Sequence, residues 1–443
     1  MTDLKQYRIR AGSAAELVRD VEEAVAVGSL LAGQPLPSVR RLAAEVGLSP
    51  VTVAAGLAEL RRRGVVVTEP RRGTRIGDGP PVVSWRAPLP VPPGARDLSR
   101  GNPDPALLPD LERALGRLKL PGHLYGEPSA VAELMALARV QLGADGIPGE
   151  SLCIVSGALD GIERVLEAHL RPGDRVAVEN PGYAALFDLL RARGLSLEAV
   201  GVDERGMRAQ ELRDALARGA SAVVITPRGQ NPTGATLDAT RARELRAVLA
   251  SFPQTLVIED DHLGLLAGSA LHTTVAGRER WAATRSVAKA LGPDLRLAVL
   301  AGDAHTIARV QGHQQCGPGW VSHILQRLVL SLWTDRAVQA QVARASAIYS
   351  ARRERLIECL RENGLPALGA SGLNVWIPVG DETGVVGAML QRGWVLAPGA
   401  PYRLTGSPPA IRVTTATLLE AESQLLAGEL AAVLAPARAS RSG

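Results

Sequence analysis

Cysteine is scarce in this chain, and long apolar runs are missing from it. The three cysteines, Cys153, Cys316 and Cys359, lie far apart in the sequence, and their spacing matches neither a disulfide framework nor a zinc site. No apolar run reaches the length that spans a membrane. The opening MTDLKQYRIR is polar, with no apolar stretch behind it. We therefore expect a cytoplasmic protein without a secretory signal, a bound metal or a membrane partner, whose three thiols are buried and inert.

The sequence also lacks an internal repeat and the composition of a disordered chain. Hydrophobic residues make up 46% and charged residues 21% of the 443 positions, which is enough apolar material for a sizeable core. A chain of this length predicts two or three domains.

Positive charge is concentrated at one end of the chain. Residues 1–77 carry a net charge of +4, whereas the residues that follow carry only +1. A basic excess of this kind suits a surface that binds a polyanion. An ordinary solvated surface could carry the same net charge, so charge alone does not distinguish it from a surface that binds a polyanion.

A proline-rich stretch divides the sequence. Residues 78–96 contain six prolines, which excludes a helix or a central strand and indicates a linker. Residues 1–77 predict helices followed by a hairpin. Residues 97–435 alternate apolar strand-like runs with amphipathic stretches, which is typical of a mainly parallel sheet covered on both faces. The Ala/Arg-rich residues 436–443 are predicted to form a flexible tail.

The N-terminal residues predict two short helices joined by a tight turn. One helix begins near Ser38 and is ended by Gly47, and Ser49 then caps the next helix with Pro50 at its first position. This arrangement is typical of a helix-turn-helix, whose second helix enters the major groove of DNA. A three-helix protein-interaction module is the alternative.

A β-hairpin is predicted directly after these helices. VVVT and GTRI form its strands and EPRRG its turn. Guanidinium groups bind phosphate bidentately, so a hairpin surrounded by arginine suits a DNA backbone. The arginines around it are Arg61, Arg62, Arg63, Arg71, Arg72 and Arg75.

The stretch from Gly33 to Ile76 resembles the GntR family of bacterial regulators, with helices, turn and wing in the same order. The resemblance implies a winged helix-turn-helix that binds double-stranded operator DNA. It implies DNA contacts by Ser38, Arg40, Ser49, Thr52, Arg72 and Gly73.

Two segments of the large domain carry candidate reactive groups. In SVAK, Lys289 lies between two strand-like runs, and nearby cations would lower the pKa of its amine. Ser286 and Arg296 are suited to hold a phosphate. TLVIEDDH places Asp260 at the C-terminal end of a buried strand, where ligands bind in open α/β folds. The alternatives are a surface lysine and an acid that caps a helix.

Three further segments supply candidate binding groups. TPRGQNPTG places Asn231 in a tight turn after a strand. SGALDG offers the free N–H groups of a helix N-terminus at Gly157 and Ala158, which suit a phosphate. ENPGY places Tyr183 where its ring could stack on a ligand, and a core aromatic is the alternative.

The order SGALDG, ENPGY, NPTG, EDD and SxxK…R resembles that of fold-type I, class I/II aminotransferases, roughly from Asp97 to Leu434. The resemblance implies the α/β fold of pyridoxal 5′-phosphate-dependent transferases, with a small C-terminal α+β subdomain and that cofactor. By position, Lys289 would form the Schiff base. Asp260 would pair with the ring nitrogen, Asn231 would bind the ring hydroxyl, and Tyr183 would stack on the ring face. The phosphate would be bound by Gly157, Ala158, Ser286 and Arg296.

The resemblance reaches two more residues and fails at two others. Tyr125 resembles a tyrosine that reaches the partner subunit's phosphate, which implies a homodimer, and Arg412 resembles the arginine that clamps a substrate carboxylate. His262 stands where the family usually has a tyrosine that donates to the phenolic oxygen. A histidine could still donate there, and would make cofactor affinity depend on pH near neutrality. Ala185 replaces an arginine that some relatives use for a second acidic group.

A GntR-type DNA-binding domain, here termed the reader, fused to an aminotransferase-like domain resembles the MocR-type regulators. The segment TPRGQNPTG resembles their PtsJ-like branch, which is associated with vitamin B6 control. This implies a cofactor-responsive regulator of vitamin B6 or amino-acid metabolism genes, with an amino acid or amine as a further effector. Two alternatives stay open. One is a working aminotransferase with an accessory DNA-binding module, and the other is a regulator that senses something other than the cofactor.

Overall fold

The computed structural model describes residues 12–26, 29–31, 33–62, 65–69, 73–77, 91–404 and 406–435. The chain divides into two compact units. One holds the residues through Arg86 together with Leu170–Arg175 and Ala185–Leu197, and the other holds the rest from Ala87. The main division falls inside the proline-rich stretch, but the domain limits at residues 77, 96 and 435 stay predictions. The tail at 436–443 lies outside the described residues.

The N-terminal residues of the first unit form three helices and a hairpin, as predicted. They are α1 (Ala14–Ala26), α2 (Val39–Val46), α3 (Pro50–Arg62), β1 (Val66–Glu69) and β2 (Gly73–Ile76). The two strands pair antiparallel, with Val66 opposite Ile76. Gly47 ends α2 because its left-handed φ of 74° lets its N–H donate to the carbonyl of Ala43.

Apolar side chains from all of these elements share one core. Its members include Leu17, Val21, Leu42, Val53, Leu57, Leu60 and Ile76. Gly56 allows α1 and α3 to approach closely, since a Cβ there would lie 2.9 Å from a methyl group of Leu17. The third helix is therefore held firmly against the first.

A sheet of eight strands lies at the centre of the large domain. Strand β3 (Arg96–Asp97) precedes it. The sheet contains β4 (Leu152–Val155), β5 (Arg175–Asn180), β6 (Ser196–Asp203), β7 (Gly206–Met207), β8 (Ala220–Ile225), β9 (Leu256–Asp261), β10 (Trp281–Ser286) and β11 (Ala298–Gly302). Their spatial order is β4-β11-β10-β9-β8-β5-β6-β7. Strand β9 runs parallel to β8 and β10, while β11 runs antiparallel to both of its neighbours. The sheet is mixed and mainly parallel, which confirms the prediction.

Helices cover both faces of this sheet. The helices between residues 111 and 334 are α4 (Leu111–Leu115), α5 (Ala132–Ala144), α6 (Ala158–His169), α7 (Ala184–Ala192), α8 (Ala209–Ala217), α9 (Ala239–Ala250), α10 (Ala288–Leu291), α11 (Ala304–Gln315) and α12 (His323–Thr334). On one face Gly161 of α6 packs against Thr284 and Leu300. Side chains of opposite orientation, such as Val257 and Val299, join a core with α5, α8, α9 and α12. Strands buried on both faces explain the continuous apolar runs in the sequence.

A smaller subdomain follows the sheet. It contains α13 (Arg336–Glu362), β12 (Asn374–Pro378), α14 (Glu382–Gln391), β13 (Trp394–Val395), β14 (Ala397–Pro398), β15 (Ala410–Thr414) and α15 (Glu420–Leu434). Three of its strands form an antiparallel sheet in the order β12-β15-β14, and β13 pairs in parallel with β3. Arg96, the last residue of the predicted linker, is thus already part of this pairing.

No single helix in the described ranges is both long and apolar enough to cross a membrane. Helices α2 and α3 meet that criterion only as a pair, with a bend of 109° between them.

The expectation of three buried thiols is wrong for Cys316. This residue is exposed, whereas Cys153 and Cys359 are buried. It directly follows α11, where the chain turns at the surface. Burial raises the pKa of the Cys153 thiol to about 12, which keeps it protonated. The part of the chain described by the structure contains no cluster of three or more metal-ligating side chains.

Candidate functional site

The candidate site lies at one edge of the central sheet. Asp260 is the penultimate residue of β9, Lys289 lies in α10 directly after β10, and Asn231 follows β8. Because these three strands are parallel, their carboxyl ends meet at the same edge. The three segments predicted from the sequence are therefore brought together by the order of the strands.

Lys289 carries the candidate reactive amine. Its Nζ donates to the carbonyl oxygen of Gly101 at 2.6 Å. Burial, and then the positive charges of Arg412 and Arg296, lower the pKa of this amine to about 8. A much larger neutral fraction is present near neutral pH than for an exposed lysine, and the neutral form is the nucleophile.

Asp260 is the buried carboxylate of the site. It is 5% exposed, and one of its oxygens accepts from the hydroxyl of Thr284 at 3.2 Å. Nδ1 of His262 lies 4.0 Å from its other oxygen. Burial raises the pKa of Asp260, against the opposing effects of His262 and Thr284. A cation or a protonated ring nitrogen at this position would stabilise the charged carboxylate.

The two acids beside Asp260 have structural roles. Glu259 accepts from the hydroxyl groups of Thr273 and Thr274. Asp261 accepts from the guanidinium groups of Arg228 and Arg285, at 2.8–2.9 Å. The alternation of side chains along β9 sends Asp260 to a different environment from its neighbours. Of the three acids, Asp260 is left for the site.

Arg412 lies beside Asn231 in the same pocket. Its Nη1 donates to Oδ1 of Asn231 at 3.0 Å, and its Nη2 donates to the carbonyl of Ser99. The guanidinium carbon lies 4.7 Å from the ring centroid of Tyr402. Nε of Arg412 is buried and has no hydrogen-bond partner among the described residues. A buried cation with an unused donor is suited to an anionic ligand group.

The residues predicted to hold a phosphate come from the start of α6, the end of β10 and the loop before β11. Gly157 has a φ of +106°, and a Cβ there would lie 2.8 Å from Nη2 of Arg296. Ala158 is the first residue of α6, whose N-terminal N–H groups favour an anion. The hydroxyl of Ser286 accepts from the N–H of Ala288, which leaves its own hydrogen to donate. Only glycine at position 157 leaves room for the guanidinium of Arg296.

A buried glutamine joins two loops of the site. Nε2 of Gln230 donates to the carbonyl of Pro181, and its Oε1 accepts from the N–H and the hydroxyl of Thr233. The neighbouring Glu179 accepts from the N–H of Thr226, and burial raises the pKa of Glu179 to about 7. These contacts fix the segment of Tyr183, itself half-buried, relative to that of Asn231. Sequence reasoning missed Gln230 and Glu179, although both lie inside motifs that it used.

Tyr125 does not join these residues within the chain. It is 92% exposed and meets Trp320 edge-on, with ring centroids 5.6 Å apart. Behind it, His123 and His323 stack at 3.6 Å. Neighbouring side chains Leu120, Leu124 and Ile324 are also exposed.

The predicted DNA-binding residues cluster around α2 and α3. Ser38 caps α2 and accepts from the N–H of Arg41, and Arg40 is exposed. The hydroxyl of Ser49 accepts from the N–H of Thr52 at 3.1 Å. Gly73 begins β2 with a φ of +81°. Arg72 lies outside the described residues, as do Arg63, Arg71 and the side chain of Arg62.

Two protein families match the two parts of the chain. The family described as "Bacterial regulatory proteins, gntR family" matches residues 13–76. The family described as "Aminotransferase class I and II" matches residues 100–430. The chain belongs to the MocR-type regulators. It is a transcriptional regulator with a GntR-type DNA-binding domain and an aminotransferase-like domain.

The relatives match this chain over most of their own length. The chain is 39% identical to the vitamin B6 salvage pathway transcriptional repressor PtsJ of Salmonella typhimurium, over 94% of this chain and 97% of the relative. It is 29% identical to the transcriptional regulator TauR of Rhodobacter capsulatus, over 80% of each chain. The α-aminoadipate aminotransferase LysN of Thermus thermophilus superposes with a TM-score of 0.68 at 21% identity, over 77% of this chain and 92% of LysN. The last comparison supports the fold.

The aminotransferase-like domain of this regulator binds pyridoxal 5′-phosphate, and the donor set fits that group. A buried carboxylate, an amine of lowered pKa and a glycine cradle beside a guanidinium stand in one pocket. These are the groups that a pyridine nitrogen, an aldehyde and a phosphate require.

Proposed function

We propose that this regulator is a cytoplasmic protein that adjusts its affinity for an operator according to pyridoxal 5′-phosphate, and that its target genes belong to vitamin B6 metabolism. The observation that carries the proposal is a single one. An amine of lowered pKa at Lys289 lies in one pocket with the buried carboxylate of Asp260, in a chain that carries a GntR-type reader. The name of the Salmonella relative supports the choice of pathway.

Each residue of the pocket has a proposed task toward the cofactor. Lys289 would hold it covalently, and Asp260 would pair with the ring nitrogen. The bound cofactor supplies an electron-withdrawing ring. Because Arg412 donates to Oδ1 of Asn231, the amide nitrogen of Asn231 would be the atom that donates to the ring hydroxyl. His262, which lies near Asp260, would be a second donor there. Tyr183 would cover the ring face.

The phosphate would be held by the groups at the start of α6 and beside β10. These are Gly157, Ala158, Ser286 and Arg296. A guanidinium and helix N–H groups both favour a dianion.

An amino acid or an amine is the proposed second ligand. Arg412 would bind its carboxylate bidentately, with Tyr402 behind the guanidinium. The second ligand would carry one carboxylate, since Ala185 offers no cation for another.

The reader is proposed to contact DNA through its second and third helices and its wing. Ser49 and Thr52 lie at the start of α3, which would enter the major groove. Arg40 would bind the phosphate backbone, and Ser38, Arg72 and Gly73 are proposed contacts as well.

A homodimer is proposed as the assembled form. Tyr125 would reach the phosphate in the partner subunit, and its exposure within one chain supports this. Two readers would then bind two operator half-sites.

The test is DNA binding to the region upstream of the protein's own gene, with and without pyridoxal 5′-phosphate, at a fixed salt concentration. Lys289→Ala should keep DNA binding and lose both covalent cofactor and the response to it. Arg40→Ala should keep the cofactor and weaken DNA binding. The proposal would be contradicted if wild-type protein bound DNA with the same affinity whether or not it carried the cofactor.

A working aminotransferase is the second candidate, because the amine, the carboxylate and Arg412 are assembled in one pocket. A steady-state assay over a panel of amino acids separates the two. Turnover of several per second would favour the enzyme, and its absence would favour the regulator.

A further inference from the structure

The segment Ser99–Gly101, here termed the switch segment, contacts two cations of the pocket, Lys289 and Arg412, with its backbone. The carbonyl of Gly101 accepts from Nζ of Lys289 at 2.6 Å, and the carbonyl of Ser99 accepts from Nη2 of Arg412. The sequence motifs give no hint of these contacts, because the partners lie 188 and 313 positions apart. Two residues of one short segment, Gly101 and Ser99, therefore touch the proposed sites of covalent attachment and of carboxylate binding respectively.

The switch segment is fastened on its other side to the small subdomain. The N–H of Gly101 donates to Oγ1 of Thr414 at 3.0 Å. Just before the segment, the N–H of Leu98 donates to Val395, and its carbonyl accepts from the N–H of Thr414. Gly101 has a φ of +66°, and a Cβ there would lie 3.5 Å from Nη2 of Arg412. The segment is thus a short bridge from the end of β3 into the pocket.

Ligands in the pocket compete with this bridge. A carboxylate that binds Nη2 of Arg412 competes there with the carbonyl of Ser99, and it is the stronger acceptor because both partners are then charged. At Lys289, condensation of the neutral amine with an aldehyde forms a carbon–nitrogen double bond and releases water. Both hydrogens of the amine leave with that water, so the donor to Gly101 is lost. Either event removes one of the two hydrogen bonds that the pocket makes to the backbone of the switch segment.

We propose that the switch segment couples occupancy of the Lys289 and Arg412 pocket to strand β3 and to the polypeptide that leads to the N-terminal reader. The coupling rests on the proposed function, since it presumes that cofactor and amino acid bind at these two side chains. Ligands that engage Lys289 or Arg412 release the segment, and a ligand that engages neither leaves it in place. A shift of this kind requires that each ligand favour one of the two positions of the segment.

Amide hydrogen exchange of the full-length protein measures the release directly. Three probes separate the two contacts. Pyridoxal 5′-phosphate engages Lys289, N-(5′-phosphopyridoxyl)-L-leucine brings a carboxylate to Arg412, and pyridoxamine 5′-phosphate does neither. The first two should speed exchange at Gly101 about fivefold or more, the effect of losing one hydrogen bond. The third should leave that exchange unchanged.

A pair of buried threonines supplies the matched variants. Thr414→Val removes the acceptor of the Gly101 N–H together with a donor to Asn374, whereas Thr415→Val removes only a donor, to the carbonyl of Leu373. Both residues are buried and lie next to each other, and thermal unfolding of the two variants checks that each is folded. Thr414→Val should speed Gly101 exchange without ligand and move the DNA affinity of the unloaded protein toward that of the loaded protein. Thr415→Val should match wild type in both.

The outcomes separate this proposal from the proposed function. Suppose that DNA affinity responds to pyridoxal 5′-phosphate, but exchange at Gly101 does not change and the two variants bind DNA alike. The switch segment is then overturned while the proposed function stands. If wild-type protein takes up no cofactor, or its DNA affinity does not respond, the proposed function is overturned and the coupling with it.

Discussion

At the scale of single residues, the pocket depends on groups whose properties are set by burial. Burial, and then the charges of Arg412 and Arg296, lower the pKa of the Lys289 amine, and burial lowers the pKa of Arg412. Gly157 is small enough to admit the guanidinium of Arg296. Reactivity and phosphate binding therefore follow from packing as much as from residue type.

Gly157→Ala should weaken cofactor binding. The new Cβ would lie 2.8 Å from Nη2 of Arg296 and displace it. Loss of one hydrogen bond to a charged group is about 1.5–3 kcal/mol, or about tenfold or more in affinity. Absorbance titration with pyridoxal 5′-phosphate measures this.

Gly219→Ala is the control for backbone strain alone. Gly219 has a φ of +93°, but a Cβ there meets no heavy atom of the described chain within 4 Å. It should lower stability without changing cofactor affinity. Equal cofactor affinity in both variants would argue against the placement of Arg296.

The rate of covalent attachment at Lys289 should follow the pKa of its amine. Because that pKa is lowered to about 8, the rate should rise about tenfold per pH unit from pH 6 and level off above about pH 8. Stopped-flow absorbance gives the profile. Arg412→Gln removes the largest charge that lowers the pKa, so its profile should shift to higher pH. A wild-type rate that keeps rising to about pH 10 would contradict the assignment.

At the scale of elements, the N-terminus of α3 combines a helix cap with a DNA contact. Ser49 accepts from the N–H of Thr52 and its hydroxyl lies 2.8 Å from that of Thr52. A substitution at Ser49 that keeps the helix cap but adds a negative charge is therefore expected to lower DNA affinity without lowering the stability of the reader.

Ser49→Ala should lower the stability of the reader by about 1 kcal/mol, the usual contribution of an N-cap. Ser49→Asp keeps a good cap, so its stability should stay near that of wild type, but its negative charge would face the DNA backbone. DNA affinity should therefore fall further in Ser49→Asp than in Ser49→Ala. Thermal unfolding and operator binding of the two variants decide this, and the opposite order of DNA affinities would exclude a DNA contact at Ser49.

The sequence predicts correctly those features that are set by residues close together in the chain. The helix-turn-helix, the buried strands and the position of Asp260 at the end of β9 all follow from short patterns. Sequence reasoning failed where a contact joins distant segments. The carbonyls of Ser99 and Gly101, and the ring of Tyr402, reach Arg412 or Lys289 only through the packing of the small subdomain. The exposed Cys316 was missed because burial at the end of a helix depends on what packs there.

At the scale of the whole molecule, one chain carries both a GntR-type DNA-binding domain and an aminotransferase-like domain that binds pyridoxal 5′-phosphate. The proposed homodimer adds Tyr125, which rests against Trp320 at the surface of one chain. Its role depends on a second copy and so belongs to this scale.

Tyr125→Phe should keep the dimer and lower cofactor affinity about threefold to tenfold, since it removes one hydroxyl hydrogen bond to a phosphate. Sedimentation checks the assembly and absorbance titration checks the cofactor. The exposed Leu265 lies in a different segment, and Leu265→Ala serves as the surface control. If Tyr125→Phe is dimeric and binds the cofactor with unchanged affinity, Tyr125 of the partner subunit does not contact the phosphate.

The most direct test of the central claim is borohydride reduction of the full-length protein loaded with pyridoxal 5′-phosphate, followed by peptide mapping. The expected result is one phosphopyridoxyl group on the peptide that contains Lys289, at about one per chain. A label spread over surface lysines, or none at this position while the protein still binds its operator, would contradict the account.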